Sequence, residues 1–360
     1  MRAITGEDIG MIGGKRGWTV QERERAVTKG LYKRVWDVPE IYRVRLPFSN
    51  LKKGSSNCYI VKSGSESLIV DTGAYSPEAR DLFVGATGEL GVDVKASKVF
   101  LTHMHFDHAE MAPHLLPAGT RVYASAIGVK ARTPEETERS QELFFRRMLA
   151  NGATEDDARA YRACNAETAF IDQNLFDVRY VKEGDALSVG DASFRVIATP
   201  GHTADHLCLY EPNRGILFGG DAVLYTTTPS IDPLPGKLDA YAMFIETLER
   251  LRSLPLRCVL LGHGGASYHP LGERVDQIIE KKEHKLERVL EAVRGVPYCT
   301  GETAARLSLH RTMEAWRAFS PMQRYYAMLE CFVSIQHLMA QGRIERTFDD
   351  NTKVYRHRAL

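Results

Sequence analysis

Short apolar runs alternate with polar segments through most of the chain, and several of these runs end in a glycine-rich turn. The runs at 58–61 and 68–70 flank the polar stretch 62–67, an arrangement that predicts a β-hairpin. The segments 77–85 and 238–251 are predicted to be helices. Strands that alternate with helices predict an α/β protein built in layers.

Between residues 124 and 180 the pattern changes from strand-like to helical. Thr133, which is followed by proline and two glutamates, is predicted to begin one helix, and Thr154 is predicted to begin the next. The first helix places three apolar residues near one face, and the second carries a buried-type aromatic residue: Leu143, Phe144, Met148 and Tyr161. Two roles stay open for this helical insert, set at about residues 125–180: a cover over a substrate pocket, or simple packing.

The two ends of the chain differ from the central part, residues 41–270. Residues 1–40 are predicted to form an N-terminal extension with one helix over 18–31. From residue 271 onward a second module is predicted, starting with a long connecting helix in which apolar residues recur at helical spacing. Thr300 and Ser320 are predicted to cap two further helices. The segments 344–348 and 353–356 are predicted to form a closing hairpin.

The charge balance of the chain bears on whether it binds nucleic acid. The chain has 360 residues, 44% of them hydrophobic, with 47 basic and 46 acidic side chains, so nucleic-acid binding would need a local basic patch. Residues 296–360 carry nine basic and six acidic side chains, a surplus too small to indicate such a patch. A nucleic-acid partner is therefore possible but not favoured, and packing or homodimerisation is the favoured role of this module.

Cysteine usage and the absence of long apolar runs bear on location. The six cysteines are scattered without a C-x-x-C pair, which predicts free, mostly buried thiols in a reducing compartment. The first 14 residues lack the apolar core of a signal peptide, and no run approaches the ~18 apolar residues of a membrane span. A cytoplasmic enzyme without membrane association is the expectation.

The clearest chemical signal is the run 102–108, in which four side chains able to bind a metal ion follow an apolar stretch. His103 and His105 are two residues apart, so on an extended backbone they project to the same side. Asp107 and His108 fall on the next turn and can face a second point nearby. This spacing favours two metal ions, and imidazole and carboxylate ligands suit zinc, with iron or manganese as alternatives.

Further candidate ligands stand at the ends of other apolar runs. His202 follows the run 194–197, Asp221 follows 215–218, and His263 follows 258–261. A surface cluster that merely collects metal ions does not require this repeated order of strand and then ligand. Side chains at strand ends are held rigidly, as an active site requires.

These motifs, together with the Asp-Thr-Gly at 71–73, resemble those of the metallo-β-lactamase superfamily over about residues 42–270. The resemblance implies an αββα sandwich with the site along one edge. It implies three ligands for a first metal, three for a second, and one carboxylate that bridges both: His103, His105 and His202; Asp107, His108 and His263; and Asp221. It also implies that Asp107 orients the nucleophile and receives its proton, and that Asp71 lies beneath the metals and supports the ligands.

Finer features of the resemblance narrow the branch. Asp221 disfavours true β-lactamases, which lack the bridging carboxylate, and His105 disfavours the flavo-diiron branch, which usually has glutamate there. The ligand set is similar to that of glyoxalase II. The segments 200–206 and 220–231 look most like the subgroup with a C-terminal winged-helix domain.

The activity that the resemblance implies is hydrolysis by a hydroxide bridging two metal ions, acting on a small-molecule thioester, ester or lactone. A phosphodiesterase or ribonuclease acting on single-stranded nucleic acid is the alternative, because the winged-helix subgroup includes RNA-cleaving members. A non-catalytic regulatory protein is disfavoured by the intact ligand set. His206 and Tyr225 are candidate substrate-binding residues, and a structural hydrogen bond is the competing role for His206.

Overall fold

Two large β-sheets form the centre of the protein in a computed structural model, which describes residues 30–48, 54–164, 171–234, 239–309 and 313–360. The first sheet has seven strands in the spatial order β1 to β7. They are β1 Lys33–Trp36, β2 Glu40–Pro47, β3 Ser55–Ser63, β4 Glu66–Val70, β5 Lys98–Phe100, β6 Arg121–Ser125 and β7 Asp177–Val181. The second sheet has the order β12-β11-β10-β9-β8. Its strands are β8 Ala186–Val189, β9 Ala192–Ala198, β10 Leu207–Glu211, β11 Ile216–Gly220 and β12 Cys258–Leu261.

The two sheets pack face to face because their strands alternate between two apolar surfaces. In β3, Tyr59 and Val61 point into the core between the sheets, whereas Cys58 and Ile60 point to the outer side. In β10, Leu207 and Leu209 likewise point inward. The predicted hairpin is confirmed as β3 and β4, although both strands extend further into the polar stretch than predicted.

Helices cover the outer face of each sheet. Those against or near the first sheet are α1 Pro77–Glu89, α2 Phe106–Ala109, α3 Ala112–Leu115 and α4 Ala126–Ala131, and those of the insert are α5 Pro134–Ala150 and α6 Glu155–Cys164. The remaining helices are α7 Ala240–Arg252, α8 Leu271–Ala292, α9 Thr300–Leu309, α10 Met313–Ala318 and α11 Pro321–Ala340. Helix, sheet, sheet and helix layers follow one another, as the predicted αββα sandwich requires.

The helical insert packs on the C-terminal helices. Phe144 of α5 lies 5.7 Å from Tyr325 of α11 between ring centroids, and Tyr161 of α6 lies 6.2 Å from the same ring. Arg324 also forms an ion pair with Asp157 at 2.7 Å. These contacts favour the packing role over the cover. Two details of the prediction are wrong: Leu143 is exposed, and the strand β7 occupies the end of the predicted insert.

The ends of the chain follow the prediction in part. The predicted helix over 18–31 lies outside the described residues except for its last two, which form a turn, and β1 adds four residues of the predicted extension to the edge of the first sheet. Ser320 caps α11 and forms a capping box with Gln323. Thr300 is not a cap but the first residue of α9, where its hydroxyl donates to Asn151 Oδ1 at 2.8 Å.

The chain closes with the predicted hairpin, β13 Ile344–Asp349 and β14 Val354–Ala359. None of the five cysteines whose side chains are described is in a disulfide, and all five are buried. Among the described helices, none combines the length and the apolar character that a membrane crossing would need.

His357 in β14 is a buried imidazole whose surroundings disfavour its protonated form. Its ring is 2% exposed, and its Nδ1 has no hydrogen-bond partner among the described residues. Burial lowers its pKa from 6.5 to about 4, and Arg346 adds to this, against the opposing effect of a backbone hydrogen bond with Tyr298. Between these two values the unfolded chain binds a proton that the folded chain excludes, so stability is expected to fall as the pH drops from 6.5 toward 4.

The variant His357→Gln is expected to flatten this pH dependence, because it removes the titrating group. At 1.36 kcal/mol per pKa unit, the acid destabilisation assigned to His357 is at most about 3 kcal/mol. Urea unfolding of the metal-free protein at pH 7 and at pH 4.5 measures it. The exposed His284, changed to glutamine, is the control. Equal pH dependence in the two variants would contradict the assignment.

Candidate metal centre

The candidate ligands converge at the carboxyl ends of strands from both sheets. The loop after β5 carries His103 and His105, and the short helix α2 begins directly afterwards, so that Asp107 and His108 lie in its first turn. His202 follows β9, Asp221 follows β11, and His263 follows β12. Because the two sheets pack face to face, these strand ends lie at one edge of the sandwich. All seven side chains named as candidate ligands are brought together there.

His103, His105 and His202 form a first triad. Each offers one ring nitrogen, and these nitrogens lie within 4.8 Å of one another. His202 Nε2 and His105 Nδ1 lie 3.1 Å apart. All three side chains are buried.

Asp107, His108 and His263 form a second triad of the same kind, with donor atoms within 4.8 Å of one another. His263 Nε2 lies 3.2 Å from Asp107 Oδ2, and His108 Nε2 lies 3.9 Å from the same oxygen. Exposure differs across the centre: the side chain of His108 is fully buried, whereas those of Asp107 and His263 are 13% and 22% exposed. The centre therefore opens to solvent on the side of Asp107 and His263.

The carboxylate of Asp221 lies between the two triads. Its Oδ1 is 3.5 Å from His108 Nε2, and its Oδ2 is 3.2 Å from His263 Nε2 and 3.7 Å from His202 Nε2. Burial alone would raise the pKa of this carboxyl group, but His263 and His108 outweigh it and hold the pKa well below its usual range. One anion is thus shared by ligands of both triads.

Each of the five imidazoles uses its second ring nitrogen in a hydrogen bond directed away from the centre. The five bonds are His103 Nδ1 to Thr102 Oγ1 (3.0 Å), His105 Nε2 to Asp232 Oδ2 (3.1 Å), His108 Nδ1 to Asp71 Oδ2 (2.8 Å), His202 Nδ1 to the Ser230 carbonyl (2.9 Å) and His263 Nδ1 to the Ser55 carbonyl (2.8 Å). A neutral imidazole that donates through one nitrogen carries a lone pair on the other. The inward nitrogens are therefore oriented as metal ligands.

The inward atoms need a cation. Among the described residues, His103 Nε2, His108 Nε2 and Asp221 Oδ1 are buried without a hydrogen-bond partner, which is costly unless something positive lies between them. Burial and the neighbouring histidines hold the pKa of His103 well below its usual range, so His103 itself does not supply that positive charge at neutral pH. The donor set, five imidazole nitrogens and two carboxylates, fits divalent metal ions.

Protons and metal ions compete for the second triad. Burial lowers the pKa of His263, but Asp221 and Asp107 outweigh it and raise the pKa to about 10. The pKa of His108 is likewise raised well above its usual range, against the effect of burial, by Asp221, Asp71 and Asp107. Metal binding there must displace these protons, so its affinity falls in acid.

Asp71, which the resemblance puts beneath the metals, forms hydrogen bonds with residues of the candidate centre. It accepts hydrogen bonds from His108 Nδ1, from the Thr102 backbone N–H at 2.8 Å and from the Thr102 hydroxyl at 2.9 Å. Its backbone φ is 60°, a left-handed conformation that is uncommon for residues other than glycine. This turn aims the carboxylate at the segment after β5, where it holds the ring of His108 directly and the ring of His103 through the Thr102 hydroxyl.

The two candidate substrate-binding residues differ in position. His206 is buried, its Nδ1 is 2.6 Å from Thr199 Oγ1, and its Nε2 accepts from the backbone N–H of Asp221 at 3.0 Å. Both nitrogens are engaged, which favours the structural hydrogen bond over proton donation. Tyr225 is partly exposed, and its hydroxyl donates to the His269 carbonyl at 3.4 Å. A contact between Tyr225 and substrate stays a prediction.

Sequence reasoning missed Asp232, Ser230 and Thr102 as partners of the ligands. Burial raises the pKa of Asp232, but the hydrogen bond from His105 and the charges of His105, His202 and Arg132 outweigh it, so the pKa is lowered and the group is a carboxylate. No spacing in the sequence singles out Asp232. Only the path of the loop after β11 brings it back to His105.

The fold and the site define an αββα protein with a cluster of candidate metal ligands at its strand ends. The sequence profile of the metallo-beta-lactamase superfamily matches residues 51–263, and the chain belongs to this superfamily. Its fold is shared by a metallo-beta-lactamase family protein from Thermus thermophilus, with a TM-score of 0.72 at 23% identity over 89% of this chain and 98% of that one. A beta-lactamase domain protein from Burkholderia ambifaria gives 0.76 at 20% identity over 93% and 96%.

Curated relatives match over a shorter range. An atrochrysone carboxyl ACP thioesterase from Aspergillus fumigatus is 26% identical over 241 residues, which cover 67% of this chain and 60% of the relative. One from Emericella nidulans is 28% identical over 210 residues, covering 58% and 51%. A beta-lactamase-like protein 2 homolog from Drosophila melanogaster is 23% identical over 66% of this chain and 67% of the relative. The match therefore spans about 60% of the length of the Aspergillus fumigatus thioesterase and about half the length of the Emericella nidulans thioesterase.

Proposed function

We propose that the protein is a dinuclear metal-dependent hydrolase that acts on a small-molecule thioester. The observation that carries this proposal is the pair of triads that share Asp221, with every imidazole oriented by a hydrogen bond from behind. The thioesterase names of the relatives favour a thioester over the esters and lactones that offer a similar carbonyl. In this proposal His103, His105 and His202 bind the first ion, Asp107, His108 and His263 the second, and Asp221 both. Zinc is the favoured metal.

Two divalent ions held in this way would lower the pKa of bound water and polarise the substrate carbonyl. The residues of the chain then have separate tasks. Asp107 lies on the open side, and His108 and His263 outweigh the effect of burial and lower its pKa, so it is a carboxylate able to orient a water molecule and accept its proton. His206 and Asp71 hold the backbone and imidazoles in place from the closed side.

We further propose that the ligand set is of the glyoxalase II type and that residues 271–360 form a winged-helix-like domain. Three helices, α9 to α11, followed by the hairpin β13–β14 support the second point. Its role is packing, since Leu329 and Phe332 of α11 join the same apolar cluster as Phe244 of α7. The balance of 47 basic and 46 acidic side chains in the whole chain lends no support to the nucleic-acid alternative.

The test combines metal analysis with a substrate panel. We expect purified protein to hold about two divalent ions per chain and to hydrolyse acyl-thioesters with saturation, measured by the thiol released. Removal of metal by a chelator should lower turnover at least ~10²-fold, and added zinc should restore it. The variant His284→Gln, at an exposed position, serves as a control and should have unchanged turnover. Absence of bound metal, or cleavage of single-stranded RNA without thioester hydrolysis, would overturn the proposal.

A further inference from the structure

Three consecutive residues after β11 hold two ligands of the first triad. The Ser230 carbonyl accepts from His202 Nδ1 at 2.9 Å, and Asp232 Oδ2 accepts from His105 Nε2 at 3.1 Å. The backbone N–H of Asp232 donates to the His202 carbonyl at 3.0 Å. The segment therefore fixes the ring of His202, the backbone of His202 and the ring of His105.

This segment is itself anchored. Ile231, between the two hydrogen-bonding residues, is 4% exposed and packs in the apolar cluster that includes α7 and α8, and Leu234 is buried in the same cluster. The side chain of Ile231 points into the core, whereas the Ser230 carbonyl and the Asp232 carboxylate point toward the first triad. The hydrogen bonds of Ser230 and Asp232 to the triad therefore come from a segment that is fixed in the core.

Among the described residues, the second triad forms no hydrogen bond or ion pair with this segment. His108 is held by Asp71, at the end of β4, and His263 by the Ser55 carbonyl, at the start of β3. A change at residue 232 therefore acts directly on one triad only. Since a carboxylate behind an imidazole orients the ring and increases its basicity, the two triads can be tuned separately.

We propose that Asp232 is a positioning residue that sets the affinity of the first triad for its metal ion. The inference rests on the metal centre of the proposed function. Asp232 acts through His105: it keeps the ring in the tautomer with Nδ1 unprotonated and holds that nitrogen 3.1 Å from His202 Nε2. Without it, His105 is free to rotate or to place its proton on Nδ1, and the first triad loses a ligand.

The experiment measures metal affinity in two backgrounds. His263→Ala leaves the first triad intact, and His202→Ala leaves the second. In the His263→Ala background, Asp232→Ala should weaken zinc binding about 10–100-fold, and Asp232→Asn, which keeps an acceptor but loses the charge, should weaken it less. In the His202→Ala background neither change should alter the affinity by more than about threefold. Titration of the metal-free proteins against a chelating indicator provides the readout.

Asp239→Asn is the matched control. Asp239 makes a carboxylate–imidazole pair of similar geometry, at 2.7 Å from His337 Nδ1, and His337 is not a candidate ligand. This variant should bind zinc like its parent in both backgrounds. Equal losses from the Asp232 variants in both backgrounds, or no loss with the first triad, would overturn the inference, as would wild-type protein that binds no divalent ion. Selective loss at the first triad in a protein that hydrolyses no thioester would contradict only the proposed substrate.

Discussion

Replacing Asp221 with alanine is expected to lower thioester hydrolysis by about 10³-fold and to reduce bound metal from two ions per chain to one or fewer. The reason is its position: its two oxygens lie 3.2–3.7 Å from ligand nitrogens of both triads. No other described carboxylate lies that close to both triads, so its loss removes a ligand from each and leaves the charge of two dications less neutralised. Loss of one preorganised electrostatic contact commonly costs about 10²–10³-fold in turnover, and this change removes more than one.

A second variant, Asp221→Asn, distinguishes the effect of losing the charge from the effect of losing the side-chain volume. Asp221→Asn keeps the volume and one potential oxygen ligand, so we expect it to retain more metal than the alanine variant and to remain at least ~10²-fold less active than wild type. Asp191→Asn is the control, because Asp191 is exposed, pairs with Arg214 and precedes β9, at the opposite end of that strand from His202. Metal content by elemental analysis and turnover on the best thioester are measured on the same samples. Two bound ions and unchanged turnover in Asp221→Ala would remove the bridging role.

The convergence of the candidate ligands could be predicted because their positions follow a local rule. Each of them lies in the turn or short helix that follows a short apolar strand, and these strand ends meet at one edge of the sandwich. The spacing of His103 and His105 further limits where their rings can point. The layered fold was predictable for a related reason, since a continuous apolar run such as 58–61 in β3 places apolar side chains on both faces of the sheet.

What supports the ligands could not be predicted in the same way. Asp232 reaches His105 across 127 positions of sequence, and this contact depends on the path of a loop rather than on any local spacing. Threonine is a residue type that commonly caps helices. The hydroxyl of Thr300 instead donates a hydrogen bond to Asn151 in the insert, and this tertiary contact overrides the local preference. Leu143 lies on the exposed side of α5, a helix in which, among its described residues, only Met148 is buried, so helical spacing alone did not show which apolar side chains face the core.

Replacing Gly262 with alanine is expected to abolish two-metal binding although the new side chain is a single methyl group. A Cβ at this position would collide with Asp221 Oδ1 and stand 2.7 Å from His108 Cε1 and 3.0 Å from the Gly220 backbone. The backbone at Gly262 cannot retreat easily, because its N–H donates to the Gly220 carbonyl at 2.7 Å and its carbonyl accepts from the Asn57 backbone N–H at 2.8 Å. The methyl group must therefore displace the shared carboxylate or the ring of His108.

Gly219→Ala is the matched control for this prediction, since Gly219 is a buried glycine two positions before Asp221. A Cβ there would meet Val259 Cγ1 at 3.4 Å and Val223 Cγ1 at 3.7 Å, which is ordinary van der Waals contact. We expect Gly219→Ala to keep its metal and most of its turnover. Gly262→Ala should lose at least one ion per chain and about 10²-fold or more in turnover, and overpacking should cost about 1–3 kcal/mol of stability. Two bound ions in both variants would contradict this prediction. A methyl group could then occupy the space between Asp221 and His108 without consequence, and that space would not be part of the metal centre.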